Sequence, residues 1–420
     1  MSTQCYNEAM QSLLTLGRQP ALGIAEVEAL YGAGAVRPVG DVAVVLDVDP
    51  CILAFERLGG TIRFCKILTT LDTTSWKQIE KFLLQVGPSH AGQMPEGKMQ
   101  LGLSLYGFDI GARQIEATGL SLKKAIRKTG RSVRLIVSPD HELSTPQVIH
   151  NHLTGPNGWE LIFVRDGEQT IVAQTVRIQD IASYTHRDRD RPKRDAKVGM
   201  LPPKLAQIII NLAAGKLSPS ALTSICDIPA DQPIPPTILN QTVLDPFCGT
   251  GVILQEAQLM GYQSYGTDLE PRMISYSQAN LEWLSAEYGT VAGSKLEAGD
   301  ATAHAWTAPI DIVAGETYLG KPFTSAPEPD VLAQTANDCN LIIKKFLRNI
   351  HSQLTPGTRL CLAVPAWQTR PDTFKHLPLI DQMDDLGYNR TRFEHVTESQ
   401  LIYYRSDQLV ARQLLVLTRI

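Results

Sequence analysis

The stretch "TVLDPFCGTGVILQEAQLMGYQSYGTDLEP" (Thr242–Pro271) changes its hydrophobic period twice. An apolar run ending at Asp245 reads as a strand, a turn carrying Gly249 and Gly251 follows, and "GVILQEAQLM" repeats its apolar residues at helical spacing. A second strand, "SYG", ends at Asp268. Strand, glycine turn, helix and strand make a βαβ unit, and therefore an α/β fold with a parallel sheet. The glycines let a ligand approach the backbone, and the free N–H groups at the helix start attract an anionic group. Asp268 stands where doubly wound nucleotide-binding folds keep a carboxylate for ribose hydroxyls. Neither G-x-G-x-x-G nor G-x-x-x-x-G-K-[ST] occurs, so dinucleotides and triphosphates lose ground. Asp300, in "EAGDAT", follows the helical "MISYSQANLEWL" at the expected end of a third strand. It can cap a turn or contact a ligand. Three strand ends bearing Asp245, Asp268 and Asp300 outline one crevice.

Working outward, "IDIVAGETYLGKPF" (Ile310–Phe323) gives a fourth strand running into a loop, with Glu316 and Tyr318 either in a reaction site or in an ordinary turn. "CNLIIKKFLRNIHSQL" reads as a helix, "TRLCLAVPAW" as a strand, and "QLIYYRS" with "VARQLLVLTR" as a closing hairpin. Upstream, "GMLPPKLAQIIINLAAG" is a helix opened by prolines and closed by Gly215, with Leu205, Ile208, Ile209 and Leu212 as its buried stripe. The proline-rich run from there to Gln241 reads as a long connection. Before residue 186, strands and helices alternate as two small α+β modules with a boundary in "GPSHAGQMPEG" (Gly87–Gly97). The expected division is residues 1–88, 89–185, a basic linker 186–199, and 200–420.

A chain of 420 residues is too long for one core. The start "MSTQCYNEAM" has no basic, apolar leader and no later run is long enough to span a bilayer, so the chain reads as cytoplasmic. Seven cysteines without a C-x-x-C pair argue against disulfides and zinc, and His186 and His304 lack partners at metal spacing, so no metal is expected. A net charge of −4 does not by itself predict a nucleic-acid partner, so any such partner must be held by local patches, and two basic segments stand out. "SLKKAIRKTGRSVR" (Ser121–Arg134) would gather Lys123, Lys124, Arg127, Lys128 and Arg131 on one side of a helix. "HRDRDRPKRDAK" (His186–Lys197) carries Arg187, Arg189, Arg191, Lys193, Arg194 and Lys197 among three aspartates. Each alone reads as a solvated face; phosphate binding gains ground over that reading only if both line one cleft.

"LDPFCGTGVILQEA", followed by "GTDLEP" and "GDAT", resembles the S-adenosylmethionine-dependent methyltransferases of the THUMP-containing RNA-modifying group. "GMLPPKLAQIIINLA" is similar to the helix before the core in the tRNA guanosine-N2 methyltransferases of that group. "LGRQPALGIAEVEAL" is similar to the start of their auxiliary domain, and "RSVRLIV" occupies the place of their THUMP module. The resemblance implies a Rossmann-like methyltransferase domain, a mostly parallel seven-stranded sheet with an antiparallel final strand, preceded by ferredoxin-like and THUMP-like α+β modules. It implies that Asp245, Phe247, Gly249 and Gly251 wrap the methionine end of the cofactor, Asp268 holds the ribose and Asp300 the adenine amine. In amine-methylating members the loop after the fourth strand reads Asp or Asn, two prolines and an aromatic residue. Here Glu316 takes the acid position, Thr317 and Tyr318 replace the prolines, and Leu319 stands in the aromatic place. Glu316 would then orient the amine and Tyr318 would stack on the base. The implied function is methylation of a guanosine N2 amine in tRNA, with a small accessory protein as a further implied partner. Alternatives are a ribosomal RNA or DNA methyltransferase, or a non-catalytic RNA-binding protein with the same fold.

Overall fold

The computed structural model describes residues 11–195, 201–230, 232–291, 293–321, 323, 327–370, 373–405 and 408–420; Lys197 and the end of the basic linker lie outside the described residues. The chain forms two compact units.

The first unit takes the chain up to Pro20, Gly34–Phe55 and Thr61–Ile181. Its strands are β1 (Ser12–Leu16), β2 (Val36–Val39), β3 (Ala43–Leu46), β4 (Thr61–Leu71), β5 (Met99–Tyr106), β6 (Val133–Leu135), β7 (Gly158–Asp166) and β8 (Gln169–Ile178). They join in one sheet of order β2-β3-β1-β4-β8-β7-β5-β6. Following α1 (Pro20–Tyr31) in the chain, the helices α2 (Trp76–Gln93), α3 (Ala112–Arg127) and α4 (Thr145–His150) belong to this unit. Ile79, Leu83, Leu101, Leu122, Trp159 and Phe163 fill the core between α2, α3 and the sheet. The boundary expected at residues 88 and 89 falls inside α2, and the strands on either side of it share the sheet. Gly87 and Pro88 look like punctuation, but Gly87 is a packing residue: a Cβ there would lie 2.4 Å from Leu122 Cδ1 on α3. Glycine is what lets the two helices approach.

The second unit contains Ala182–Ile420 together with Ala21–Ala33 and Glu56–Gly60. Its elements are α5 (Ile181–Arg189), α6 (Pro203–Ala214), α7 (Pro219–Cys226), α8 (Pro236–Leu239), β9 (Thr242–Asp245), α9 (Val252–Leu259), β10 (Gln263–Asp268), α10 (Pro271–Tyr288), β11 (Ser294–Ala298), β12 (Ile312–Glu316), α11 (Pro329–His351), β13 (Arg359–Arg370), β14 (Thr373–Lys375), β15 (Tyr388–Arg390), β16 (Ile402–Tyr403) and β17 (Val410–Arg419). The sheet runs β11-β10-β9-β12-β13-β17-β15, with β14 on β13 and β16 on β17. β11 to β13 are parallel and β17 is antiparallel between β13 and β15. This is the Rossmann-like methyltransferase order, with two short strands added to the expected seven. The proline-rich connection holds α7 and α8, each opened by a proline whose missing N–H costs nothing at that position. The expected linker is not a free tether either, because its first residues are the second half of α5.

Residues 21–33 and 56–60 were expected in a module of their own, 1–88. Buried hydrogen bonds place them in the second unit instead. Glu26, on α1, accepts from Gly59 N (2.9 Å), Gly60 N (2.8 Å) and Asn211 Nδ2 on α6 (2.7 Å). Arg57 donates to Asn211 Oδ1 and to the Tyr262 hydroxyl, both at 3.0 Å. Gly59 lies so close to α6 that a Cβ would sit 2.0 Å from Lys204 O. Farther along α1, Glu28 accepts from the N–H groups of Glu394 (2.6 Å) and His395 (3.1 Å).

Burial pushes the Glu26 carboxyl up to about 7, against the pull of Asn211, the two glycine N–H groups and the charge of Arg57. The folded value lies above the ordinary 4.5, so the folded state holds this proton more tightly. Its contribution is complete below the unfolded value and is lost as pH rises through about 7. Urea titrations should therefore show stability falling across that window, by at most about 1.4 kcal/mol per pH unit, with the slope removed in Glu26→Gln. An unchanged slope in the variant would exclude Glu26 as its source.

Candidate functional site

The turn after β9 is held open by left-handed glycines. Gly249 has φ 51° and Gly251, the N-cap of α9, has φ 85°. A Cβ on Gly251 would also lie 2.9 Å from Ser277 Oγ. From α10, Ser277 Oγ donates to Gly249 O (2.9 Å) and Asn280 Nδ2 to Thr250 O (2.8 Å). The loop is thus fastened from behind by its carbonyls.

Asp245, the last residue of β9, is 2% exposed and its Oδ1 accepts from Phe247 N at 3.1 Å. Burial drives its carboxyl well above the usual range; the Phe247 N–H opposes this, and the charges of Asp268 and Glu316 add to it. Gly315 on β12 leaves it room, since a Cβ there would stand 2.6 Å from Asp245 Oδ1. Asp268 ends β10 and accepts Gly249 N on one oxygen and Glu270 N on the other, both at 2.9 Å. Burial raises its pKa while these two N–H groups lower it. Each of its oxygens keeps a lone pair for a ligand hydroxyl. Asp300 lies two residues beyond β11, exposed, and caps the turn by accepting Thr302 N (2.9 Å) on Oδ1. Phe247 is half-buried, edge-on to Phe346 of α11 with centroids 5.1 Å apart.

Asp245, Asp268 and Glu316 are therefore brought together at the C-terminal ends of neighbouring strands. S-adenosylmethionine fits this set of groups. It carries positive charge on its ammonium and sulfonium, and Asp245 is a buried acid crowded by two others. Its ribose needs the acceptor that Asp268 offers.

The opening of the next loop is fixed more firmly than the sequence suggests. Thr317 N and Oγ1 both donate to Ala363 O, at 3.0 and 3.2 Å, extending the β12–β13 pairing by one residue. Tyr318 is 40% exposed, free to meet a ring, and Gly320 turns the loop at φ 88°. Glu316 is not a free carboxylate: its Oε1 accepts from Arg412 Nε, and both side chains are largely buried. Arg412 lies on β17 opposite Pro365 of β13. Nothing drew attention to it in the sequence except that Arg412 and Gln413 interrupt an otherwise apolar strand.

The basic segments divide. Lys124, Arg127 and Lys128 at the end of α3 are exposed, Lys123 is half-buried, and Arg189 on α5 is exposed. Two of the expected phosphate contacts, Arg131 and Arg187, are structural instead, and a third, Arg191, is buried. Arg131 donates to the carbonyls of Ala91 (2.7 Å), Met94 (3.1 Å) and Pro95 and to Asn157 Oδ1 (2.8 Å). Arg187 is buried against Glu256, with Nε to Oε1 at 2.7 Å, and lies 4.7 Å from the Tyr184 ring centre. Arg191 is 3% exposed, and burial pulls its guanidinium below the usual range. A cation in a charge run still chooses burial when a carboxylate or a row of helix-end carbonyls is within reach. Among the described residues no cluster of His, Cys, Asp and Glu could hold a metal, and no helix is long and apolar enough to cross a membrane.

Residues 239–408 match a family model described as a methyltransferase domain, and residues 167–279 match one described as a DNA methylase. The chain is similar to the tRNA (guanine(10)-N2)-dimethyltransferase of Methanothermobacter thermautotrophicus, with 27% identity over 187 residues, 44% of this chain and 45% of that protein. It is also similar to the protein of the same name from Pyrococcus abyssi, 28% identical over 195 residues, 46% of this chain and 47% of that one. The chain thus spans about half the length of these relatives. Among solved structures, TrmN from Thermus thermophilus aligns over 98% of this chain and 100% of its own, with a TM-score of 0.51 and 16% identity. That likeness establishes the fold: the second unit has the Rossmann-like fold of methyltransferases.

Proposed function

We propose that this chain is an S-adenosylmethionine-dependent methyltransferase acting on the exocyclic N2 amine of a guanosine in tRNA. The observation that carries the reading is the convergence of Asp245, Asp268 and Glu316 on the left-handed glycine turn of a methyltransferase-type sheet. The names of the two relatives support the tRNA amine as target. Bound there, the cofactor would supply an electrophilic methyl group. The chain's own residues do the rest: Asp245 and the turn at Phe247, Gly249 and Gly251 hold the methionine end, Asp268 the ribose, and Asp300 the adenine amine with the oxygen its turn does not use. Glu316 accepts a hydrogen bond from the target amine through Oε2, and Tyr318 stacks on the extruded base.

In this reading residues 89–185, all but the last four in the first unit, serve as the THUMP-like RNA-binding part. Lys123, Lys124, Arg127 and Lys128 contact phosphate there, and Arg189 does so from the second unit. The chain works in the cytoplasm. The DNA methylase match covers the cofactor turn, which RNA and DNA enzymes share, and so favours neither nucleic acid.

Incubating the purified chain with methyl-labelled S-adenosylmethionine and unmodified tRNA, then digesting to nucleosides, should place the label in N2-methylated guanosine. Label in ribosomal RNA or duplex DNA instead would replace the substrate, and cofactor and tRNA binding without transfer would favour the binding protein. Transfer by the chain alone would dispense with the accessory protein.

A further inference from the structure

We infer that Arg412 is a positioning residue for the target amine: it fixes the rotamer of Glu316, so that Oε2 is the one carboxylate oxygen offered to the substrate. The inference rests on the proposed amine methylation. Three observations carry it.

The first is placement. Glu316 is the last residue of β12, beside Ala363 of β13, and the β12–β13 pairing ends one residue later at the Thr317–Ala363 bonds. Past that point Pro365 has no N–H to continue the ladder, so the sheet opens there toward the crevice. Arg412 faces Pro365 from β17, and with no N–H exchange between them the pair is of the closer, non-hydrogen-bonded kind. A long side chain at Arg412 can therefore reach past Pro365 to the end of β12, which is where its Nε meets Glu316.

The second is anchoring. Arg412 is 6% exposed, and the residues that follow it on β17, Leu414 to Leu417, are all buried. A guanidinium held by such a strand is a fixed reference for a side chain at the mouth of a loop. The start of the loop is tied to the same place, since Thr317, the next residue, donates from both N and Oγ1 to Ala363 O of β13.

The third is energetic. A buried ion pair is a weak source of stability, and a well-packed apolar pair would serve a merely structural purpose equally well. What an ion pair adds is direction: with Oε1 committed to Arg412, the carboxylate cannot rotate without stranding a buried charge.

The test is a double-mutant cycle on methyl transfer to tRNA with Glu316→Gln, Arg412→Gln and both together, plus Arg412→Lys. Arg412→Gln should lower kcat on the order of a hundredfold, the loss expected when a reacting group moves by about 1 Å. KM for tRNA and the Kd for S-adenosylhomocysteine should stay near wild type, because Arg412 acts through Glu316. Arg412→Lys, which restores the charge without the fork, should recover part of kcat. The double variant should be no slower than Glu316→Gln alone, since both act through one carboxylate. If Arg412→Gln lowers the melting temperature but leaves kcat intact, or if the two losses multiply, Arg412 is structural and the inference fails while the amine reading survives. If Glu316→Gln methylates tRNA at the wild-type rate, the role assigned to Glu316 falls, and Arg412 with it. A wild-type chain that binds S-adenosylhomocysteine yet methylates no nucleic acid would overturn the functional reading itself.

Discussion

Expressed from Ala182 to Ile420 alone, the chain will not fold as it does in the full protein. It should show no sharp urea transition and should expose apolar surface to a hydrophobic dye. The missing pieces, residues 21–33 and 56–60, carry Glu26, Arg57 and the buried side chains Leu22, Val27 and Leu30. Without them the Asn211 side chain and the Tyr262 hydroxyl lose their partners inside the unit. Each orphaned polar group costs about 1–3 kcal/mol. Each apolar side chain returned to water costs about 1.5–3 kcal/mol more. Together these approach or exceed the roughly 5–15 kcal/mol by which a domain is stable at all. Arg57→Ala in the full chain is the finer probe and should lower the urea midpoint of the second unit. A fragment starting at Ala182 that melts as sharply as the full protein would disprove this assignment of α1.

The second large effect concerns Asp245. Asp245→Ala should weaken S-adenosylmethionine roughly 10- to 100-fold, the worth of one or two charge-assisted hydrogen bonds, and abolish measurable transfer at ordinary cofactor levels. The pH dependence is more diagnostic. In the free protein burial, together with Asp268 and Glu316, holds this carboxyl well above its usual range. A cationic ligand favours the ionised form, so binding should release a proton, and affinity should rise as pH rises through the free protein's value. Calorimetry in buffers of different ionisation enthalpy would count that proton, and Asp245→Asn should eliminate it. An unchanged proton count in the variant would assign the release to Asp268 or elsewhere.

The parts of the fold that depend on local period were legible from residues. The β9 turn, the ends of β9 and β10, the Gly215 stop of α6 and the antiparallel β17 all follow from strand and helix periodicity, glycine placement or family order. What escaped reading depends on partners far along the chain. Gly87 and Pro88 resemble a boundary until Leu122 is seen to need the space. Arg131, Arg187 and Arg191 resemble solvent-facing cations until the helix-end carbonyls, Glu256 and the surrounding burial are placed around them. α1 is apolar enough to belong to either unit, and its two acids decide, Glu26 with its three donors and Glu28 with two. At the candidate site, Asp245, Asp268 and Glu316 were visible because each ends a strand; Arg412 was not, because its partner lies on a strand that reads independently of it.

The position of β17 also bears on how the protein is made. β13 leaves the ribosome well before β17, and until β17 slots between β13 and β15 the long edge of β13 is a row of unpaired N–H and C=O groups. A nascent chain in that condition is a template for pairing with its neighbours. The same late arrival brings Arg412 to Glu316. If that pairing is needed for transfer, as inferred above, the strand that closes the sheet also arms the site, and incompletely synthesised chains stay inert toward the RNA around them.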